Sequence, residues 1–366
     1  MNKEVSIRQI AYTYLFLSLS PILRQIPSAL AGEAGKSGYL SPLWSVLVIL
    51  PLTGIVIILL REFPGLSFYE IMEQLIGRFL AKLIILSYLI WILLSITAKI
   101  NAYSLTMQFT LMPHTRSNFF MVILIILVFH ALMRGMKTIF RFSEFTLGPI
   151  LVLFGILFFC ALTRLRMDYL LPVSTINLPT TMTASKNVIA VGGNIIIVLF
   201  FADKLGITIS KQQMRKLWYA AVVFIVLSFV ITIFTFGITG ADLATNLPFP
   251  FYITVKSISF FNIFERFEVL ITLICILSDF IAVCVSAIIL YRCFMWLFQL
   301  TEIGYLFVPL AMIVYYLTYF ISSTQFEFDF LYRYFIVNSN MIFQYIIPAL
   351  IGIIGLLKRK KIAKQY

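Results

Sequence analysis

Long apolar runs separated by short polar segments dominate the chain. They fall at about 9–31, 40–61, 83–107, 118–134, 144–163, 187–203, 217–239, 267–290, 304–321 and 337–357. Each is close to the ~20 residues that cross a bilayer core as a helix. In hydrocarbon every backbone N–H and C=O needs a partner within the protein, which leaves helices or a closed barrel. A barrel needs short segments of alternating polarity, whereas these runs are continuously apolar. The pattern predicts an all-α polytopic membrane protein with ten transmembrane helices, in a single transmembrane domain over 1–366.

Composition agrees, with 61% hydrophobic and 12% charged residues. Soluble domains are about half apolar and a quarter charged. The net charge of +13 would suggest nucleic acid in a soluble protein. Here the basic residues sit between apolar runs, so they report topology and no nucleic-acid partner is expected. With the N-terminus inside, 18 of the 28 Lys and Arg fall on the cytoplasmic side, including the tail from Lys358 to Lys364, and eight on the other. Both termini are therefore expected in the cytoplasm, with 358–366 a basic tail that meets anionic lipid head groups or a partner's soluble domain. Lys3 and Arg8 precede the first run, but Arg24 and Pro27 interrupt it, so it reads as a retained helix rather than a cleaved leader. Cys160, Cys275, Cys284 and Cys293 lack metal spacing and read as packing thiols. Nothing calls for a metal or a cofactor.

Connection lengths repeat. The second connection of each half is long, about 62–82 and 240–266, and the others are short. Two halves of five spans, about 9–163 and 187–357, would have opposite topology, the inverted repeat of secondary transporters whose ligand sites lie near the midplane. Each long connection carries an amphipathic stretch, Leu66 to Gly77 and Phe249 to Ile258, and the first suits a helix lying on the membrane surface. The first span of each half carries a helix breaker. Span one has Ser18-Leu-Ser-Pro21, where Pro21 removes a donor. Span six has Gly192-Gly193-Asn194. Helices 1 and 6 are thus expected to be broken, freeing backbone groups for an anionic ligand group; a simple kink is the alternative.

Several local motifs occur in order along the chain. They are Ile7 to Gln9 leading to Pro27-Ser-Ala-Leu-Ala-Gly-Glu-Ala-Gly35, Phe63-Pro-Gly with Tyr69-Glu70 and Gly77, Leu170-Leu-Pro-Val173, and Leu247-Pro-Phe-Pro250 followed by Phe264-Glu-Arg-Phe-Glu268. Over nearly the whole chain these resemble the membrane B subunit of spore germinant receptors, the spore germination permease family. That family is similar in fold to the amino acid–polyamine–organocation transporters, hence a LeuT-like five-plus-five arrangement. Ser20-Pro21 stands where the family often has Gly in its first-helix break, and Arg24 adds a charge there. The resemblance implies a spore inner-membrane location and sensing of a small-molecule germinant, an amino acid first among them. It also implies two partner subunits, one with soluble domains and one a lipoprotein.

Charges within spans are costly, roughly 2.5–3.5 kcal/mol each on insertion scales. Arg24, Lys99 and Asp279 lie roughly 10–18 Å below the outer span ends at 1.5 Å rise per residue. In the implied fold their spans are neighbours, so Asp279 is expected to pair with Lys99 or Arg24, as a ligand site or as a structural ion pair. Tyr103, one turn beyond Lys99, either closes the pocket or is an interfacial aromatic. Asn194 binds a ligand or satisfies freed backbone. Glu144 and Asp203 read as solvated helix-end groups, Glu265 to Glu268 as an outer salt-linked element or a gate over the pocket, and His114 and His130 as structural. The candidate ligand site comprises Ser18, Ser20, Pro21, Arg24, Lys99, Tyr103, Gly192, Gly193, Asn194 and Asp279. No nucleophile, carboxylate pair or metal motif suggests an enzyme. The expected function is a germinant-sensing subunit, with a proton-coupled amino acid permease as the alternative.

Overall fold

The computed structural model describes residues 5–171, 177–206, 210–258, 268–300, 306–321 and 324–362, the last five of these by their backbone alone. Within them the chain is all helix, without a strand. Each apolar run of the sequence is helical over most of its described length, with single-residue turns at Gln25, Ser45, Arg134 and Phe201. By length and composition seven helical stretches among the described residues can cross a membrane, and Ser117–Met133 and Phe307–Ile321 are shorter apolar helices. Helix starts follow local chemistry. Ser6 with Gln9, Ser67 with Glu70, Ser210 with Gln213 and Thr324 with Glu327 each form a reciprocal capping box, which satisfies two of the N–H groups a helix start leaves free. Gly77 and Gly135, at φ of 86° and 87°, make the sharp entries to Arg78–Thr110 and Met136–Ala161, a conformation that costs glycine little.

Ile7–Arg24 runs through the middle of the bundle. It packs on Glu268–Phe298, Lys211–Thr239 and Met136–Ala161. Arg78–Thr110 lies along Glu268–Phe298, completing the wall around it. Large apolar side chains such as Phe145, Phe159, Ile126 and Val152 point outward, as a lipid-facing surface requires. The start of the first span, the end of the sixth and the end of the last meet at one face. There Val5 N–H donates to the Lys204 carbonyl, and Gly355 packs near Phe63 and Leu75. This is the terminal face; the opposite one is the distal face.

Neither expected break unwinds. Ile7–Arg24 continues through Pro21. A single helical-range residue, Gln25 (φ −92°, ψ −38°), separates it from Ile26–Ala34. Gln25 N–H donates to Pro21 O at 3.0 Å and Ala29 N–H to Gln25 O at 3.1 Å, so the kink keeps its ladder. The sixth span runs Lys186–Gly192, tightens to one 3₁₀ turn at Gly193–Ile196 and resumes as Ile197–Phe200. Its glycines serve close packing. A Cβ on Gly192 would meet Ile49 Cδ1 at 2.3 Å, and one on Gly193 would meet Gln344 Oε1 at 2.2 Å. The last span is the most irregular, with π turns at Tyr332–Ile336 and Met341–Ile346. Such widened turns change which side chains face inward.

The long connections pack on protein. Phe68–Ile76 buries Phe68, Tyr69, Ile71, Met72 and Leu75 against the bundle at the terminal face. The membrane-surface reading of this stretch is therefore corrected: amphipathic periodicity identifies an apolar face without saying what covers it. Beyond the seventh span, Ala241–Asn246 packs on Ile26–Ala34, and Pro250–Lys256 buries Phe251 and Val255. Residues 172–173 of the Leu-Pro element, 264–267 of the Glu265 to Glu268 element, Lys3, and the side chains of the basic tail lie outside what is described.

Candidate functional site

Arg24 reaches from the distal end of the first span toward the eighth. Its Nη2 donates to Asp279 Oδ1 at 2.9 Å. Its Nη1 donates to Ala102 O at 2.8 Å and Thr106 Oγ1 at 2.6 Å on the third span. Arg24 is 3% exposed and Asp279 2%. Of the two cations that sequence offered Asp279, Arg24 is the one within ion-pair distance. Removing one partner of such a buried pair costs about 3–5 kcal/mol, because the other charge stays in the interior. The pair is not saturated: Arg24 Nε and Asp279 Oδ2 have no hydrogen-bond partner, although the Ser20 hydroxyl lies close by.

The pair opens on a cavity of about 60 Å³ between spans one, three, six, eight and ten. Pro21, Arg24, Gln25, Ser95, Lys99, Asn194, Asp279, Tyr332, Asn340 and Gln344 contribute to its wall. Lys99 donates to Ser286 Oγ on the eighth span at 3.2 Å. Pro21 acts through its missing N–H. The Leu17 carbonyl four residues earlier loses its helical donor and faces Asn194 Nδ2 at 3.5 Å. Asn194 Oδ1 in turn accepts from Gln344 Nε2 at 3.1 Å. The last span also holds the sixth through its backbone, with Asn340 Nδ2 donating to Ala190 O at 3.0 Å and the Tyr345 hydroxyl to Ile189 O at 2.6 Å.

Toward the distal face a vestibule of about 320 Å³ is lined by residues including Ser28, Asn187, Asn246, Gln325, Asp329 and Arg333. Gln25 and Tyr332 line both the vestibule and the inner cavity. They are the partition between the two, and Gln25 Oε1 and the Tyr332 hydroxyl are buried without partners. Toward the terminal face a smaller cavity of about 30 Å³ follows, sharing Leu17, Ser95, Lys99 and Asn194 with the first. Its floor is aromatic, with Trp91 and Phe200. Phe200 and Tyr88 lie 5.4 Å apart, Phe68 and Tyr88 5.7 Å, and Trp91 stacks on Phe343 at 5.4 Å. Below them Arg292 pairs with Asp203 and covers the Trp296 ring at 5.1 Å. The inner cavity is thus separated from the distal vestibule by one side-chain layer and from the terminal face by several aromatic rings and an ion pair.

Of the residues singled out in the sequence, Pro21, Arg24, Lys99, Asn194 and Asp279 line the cavity together. Ser18 donates to the Tyr14 carbonyl within its own helix. Ser20 stands behind Asp279. Gly192 and Gly193 are packing positions, and Tyr103 is buried away from the cavity wall. Asp203 and Glu144 are corrected from solvated ends to paired groups, Asp203 with Arg292 and Glu144 with Arg8 and Gln9. Reading for charge missed Gln25, Ser95, Tyr332, Asn340 and Gln344. Asn340 and Gln344 stood out as polar residues in an apolar run, four apart and so on one helix face. Among the described residues no group of three or more His, Cys, Asp or Glu could hold a metal.

A central kinked helix, a counterpart with a tightened turn, and a cavity between them define a transporter-type fold. The solved structures agree. Two variants of the Eremococcus coleocola manganese transporter each match at a TM-score of 0.57 and 11% identity, over 93% of this chain and 78% of theirs. The fold is that of the LeuT-like transporters. Residues 15–327 match the family of spore germination proteins, and the chain belongs to that permease family. It is an integral membrane protein of spore germination whose relatives in family and fold are permeases and transporters rather than enzymes. Comparison with curated protein sequences gives no match.

Proposed function

We propose that the chain is the germinant-sensing membrane subunit of a spore germination receptor. A small molecule, an amino acid first among the candidates, enters by the vestibule and passes Gln25 and Tyr332. It occupies the cavity beside Arg24, Asp279 and Lys99. Occupancy shifts the spans around it, and partner subunits, one with soluble domains and one a lipoprotein, read the shift. The distal face is then outside the spore inner membrane, both termini are cytoplasmic, and the two halves form an inverted repeat. The observation that carries this reading is the alignment of a wide vestibule, a polar partition and a charged inner cavity above a closed aromatic floor. A ligand has a way in and meets unpaired polar atoms at its end. Manganese is not transferred from the structural neighbours, since the carboxylate at this site is already held by Arg24.

The second reading is transport. The cavity beyond Lys99 favours it, because it extends the path from the inner cavity toward the terminal face. Filling the site without touching its charges tests both. Spores carrying Ala98→Val or Ala282→Val, which narrow the cavity wall, should change which nutrients trigger germination or their potency. Unchanged responses for both variants at normal protein level would remove the cavity from the mechanism. Uptake of the effective nutrient by proteoliposomes holding this chain alone would favour transport over sensing.

A further inference from the structure

Three charged side chains line the inner cavity, and their charges do not cancel. Arg24 and Lys99 bring two positive charges and Asp279 one negative. Asp279 is committed to Arg24, so the Lys99 ammonium has for hydrogen-bond partner the neutral Ser286 hydroxyl. A buried ammonium whose one carboxylate neighbour in the cavity is already paired with an arginine is unfavourable, and a further counter-charge in the cavity is the simplest remedy. Unused donors point the same way: Arg24 Nε–H and the Tyr332 hydroxyl are buried and unpartnered. Space limits the occupant. A cavity of about 60 Å³ holds roughly four to six water-sized groups, at ~10–15 Å³ for each probe-sized volume.

Building on the pocket reading above, we propose that this cavity is an anion site that takes one small monovalent anion, a halide or the carboxylate of a one- or two-carbon acid. Lys99 supplies the balancing charge, and Arg24 Nε and the Tyr332 hydroxyl supply further donors. The anion brings the enclosed charge to zero. Asp279 Oδ2, left without a partner, keeps it on the Lys99 side of the cavity.

The test uses the purified full chain in lipid nanodiscs, with sodium gluconate, too large for the cavity, holding ionic strength constant. Bromide, chloride, formate and acetate are titrated separately, and thermal unfolding is followed. Small anions are expected to raise Tm saturably by about 2–4 °C, and Lys99→Gln to abolish the rise. The halide and carboxylate arms separate the two sources. A crystal soaked in bromide should show its anomalous peak beside Lys99. The proposal is overturned if no small anion moves Tm, if Lys99→Gln responds like the wild type, or if bromide is found only on the surface as an adventitious ion only. Neutral nutrients that raise Tm where anions do not would overturn the anion site and leave the pocket reading standing.

Discussion

Arg24 and Asp279 show how a membrane interior enforces pairing. Either charge alone would face hydrocarbon-like surroundings, and together they share one short contact, with Thr106 and the Ala102 carbonyl accepting from Arg24 Nη1 while Nε is left without a partner. Asp279→Asn should destabilise the protein by about 3–5 kcal/mol, because Arg24 keeps its charge and loses its counter-ion. Replacing both with leucine should restore thermal stability in detergent to near the wild-type value, since a hydrophobic pair often serves as well as a buried ion pair. A double variant no more stable than Asp279→Asn would mean the pair is not what holds spans one and eight together. These charges were legible in the sequence because their insertion cost demands an explanation. Gln25 and Tyr332 were not, because neutral polar side chains in a span cost little and are common near its ends.

At the scale of elements, sequence located the helices well and their irregularities only approximately. Pro21 did mark a lost hydrogen bond. The helix nonetheless runs on, because Asn194 from the sixth span stands where the missing donor would, a long-range repair no local reading can contain. The Gly192-Gly193 pair likewise marks close approach by Ile49 and Gln344 rather than unwinding. Phe68–Ile76 was visible as amphipathic, yet whether lipid or protein covers its apolar face depends on Tyr88 and Phe200, which lie far along the chain. Its packing assigns it a task as the outer brace of the aromatic floor. Phe68→Ala should loosen that floor. Cys293 is fully buried and lies beside Tyr88 of the same cluster, so a membrane-impermeant maleimide applied to the terminal face should label it several-fold faster in the variant. Mass spectrometry would locate the label, and an unchanged rate at Cys293 would show that the helix does not brace the floor.

For the whole molecule the decisive property is asymmetric closure. One side chain layer, Gln25 with Tyr332, stands between the distal vestibule and the inner cavity. On the other side lie several aromatic rings and then the Arg292–Asp203 pair. Both partition residues sit at irregular points of their helices, Gln25 at the kink of the first span and Tyr332 at the first π turn of the last. Small rotations there would move them while the bundle stays packed. Ser95 lines both inner cavities and so reports access from either side. With Ser95→Cys in a background where the four native cysteines are replaced by alanine or serine, reagent from the distal face should react slowly. Adding Gln25→Ala or Tyr332→Ala should speed that reaction, and Phe68→Ala should instead admit reagent from the terminal face. If the partition variants opened the terminal side, or Phe68→Ala opened the distal side, the two closures would not be separate elements. The assignment of one gate to each face would then fall, and with it the direction in which a ligand enters.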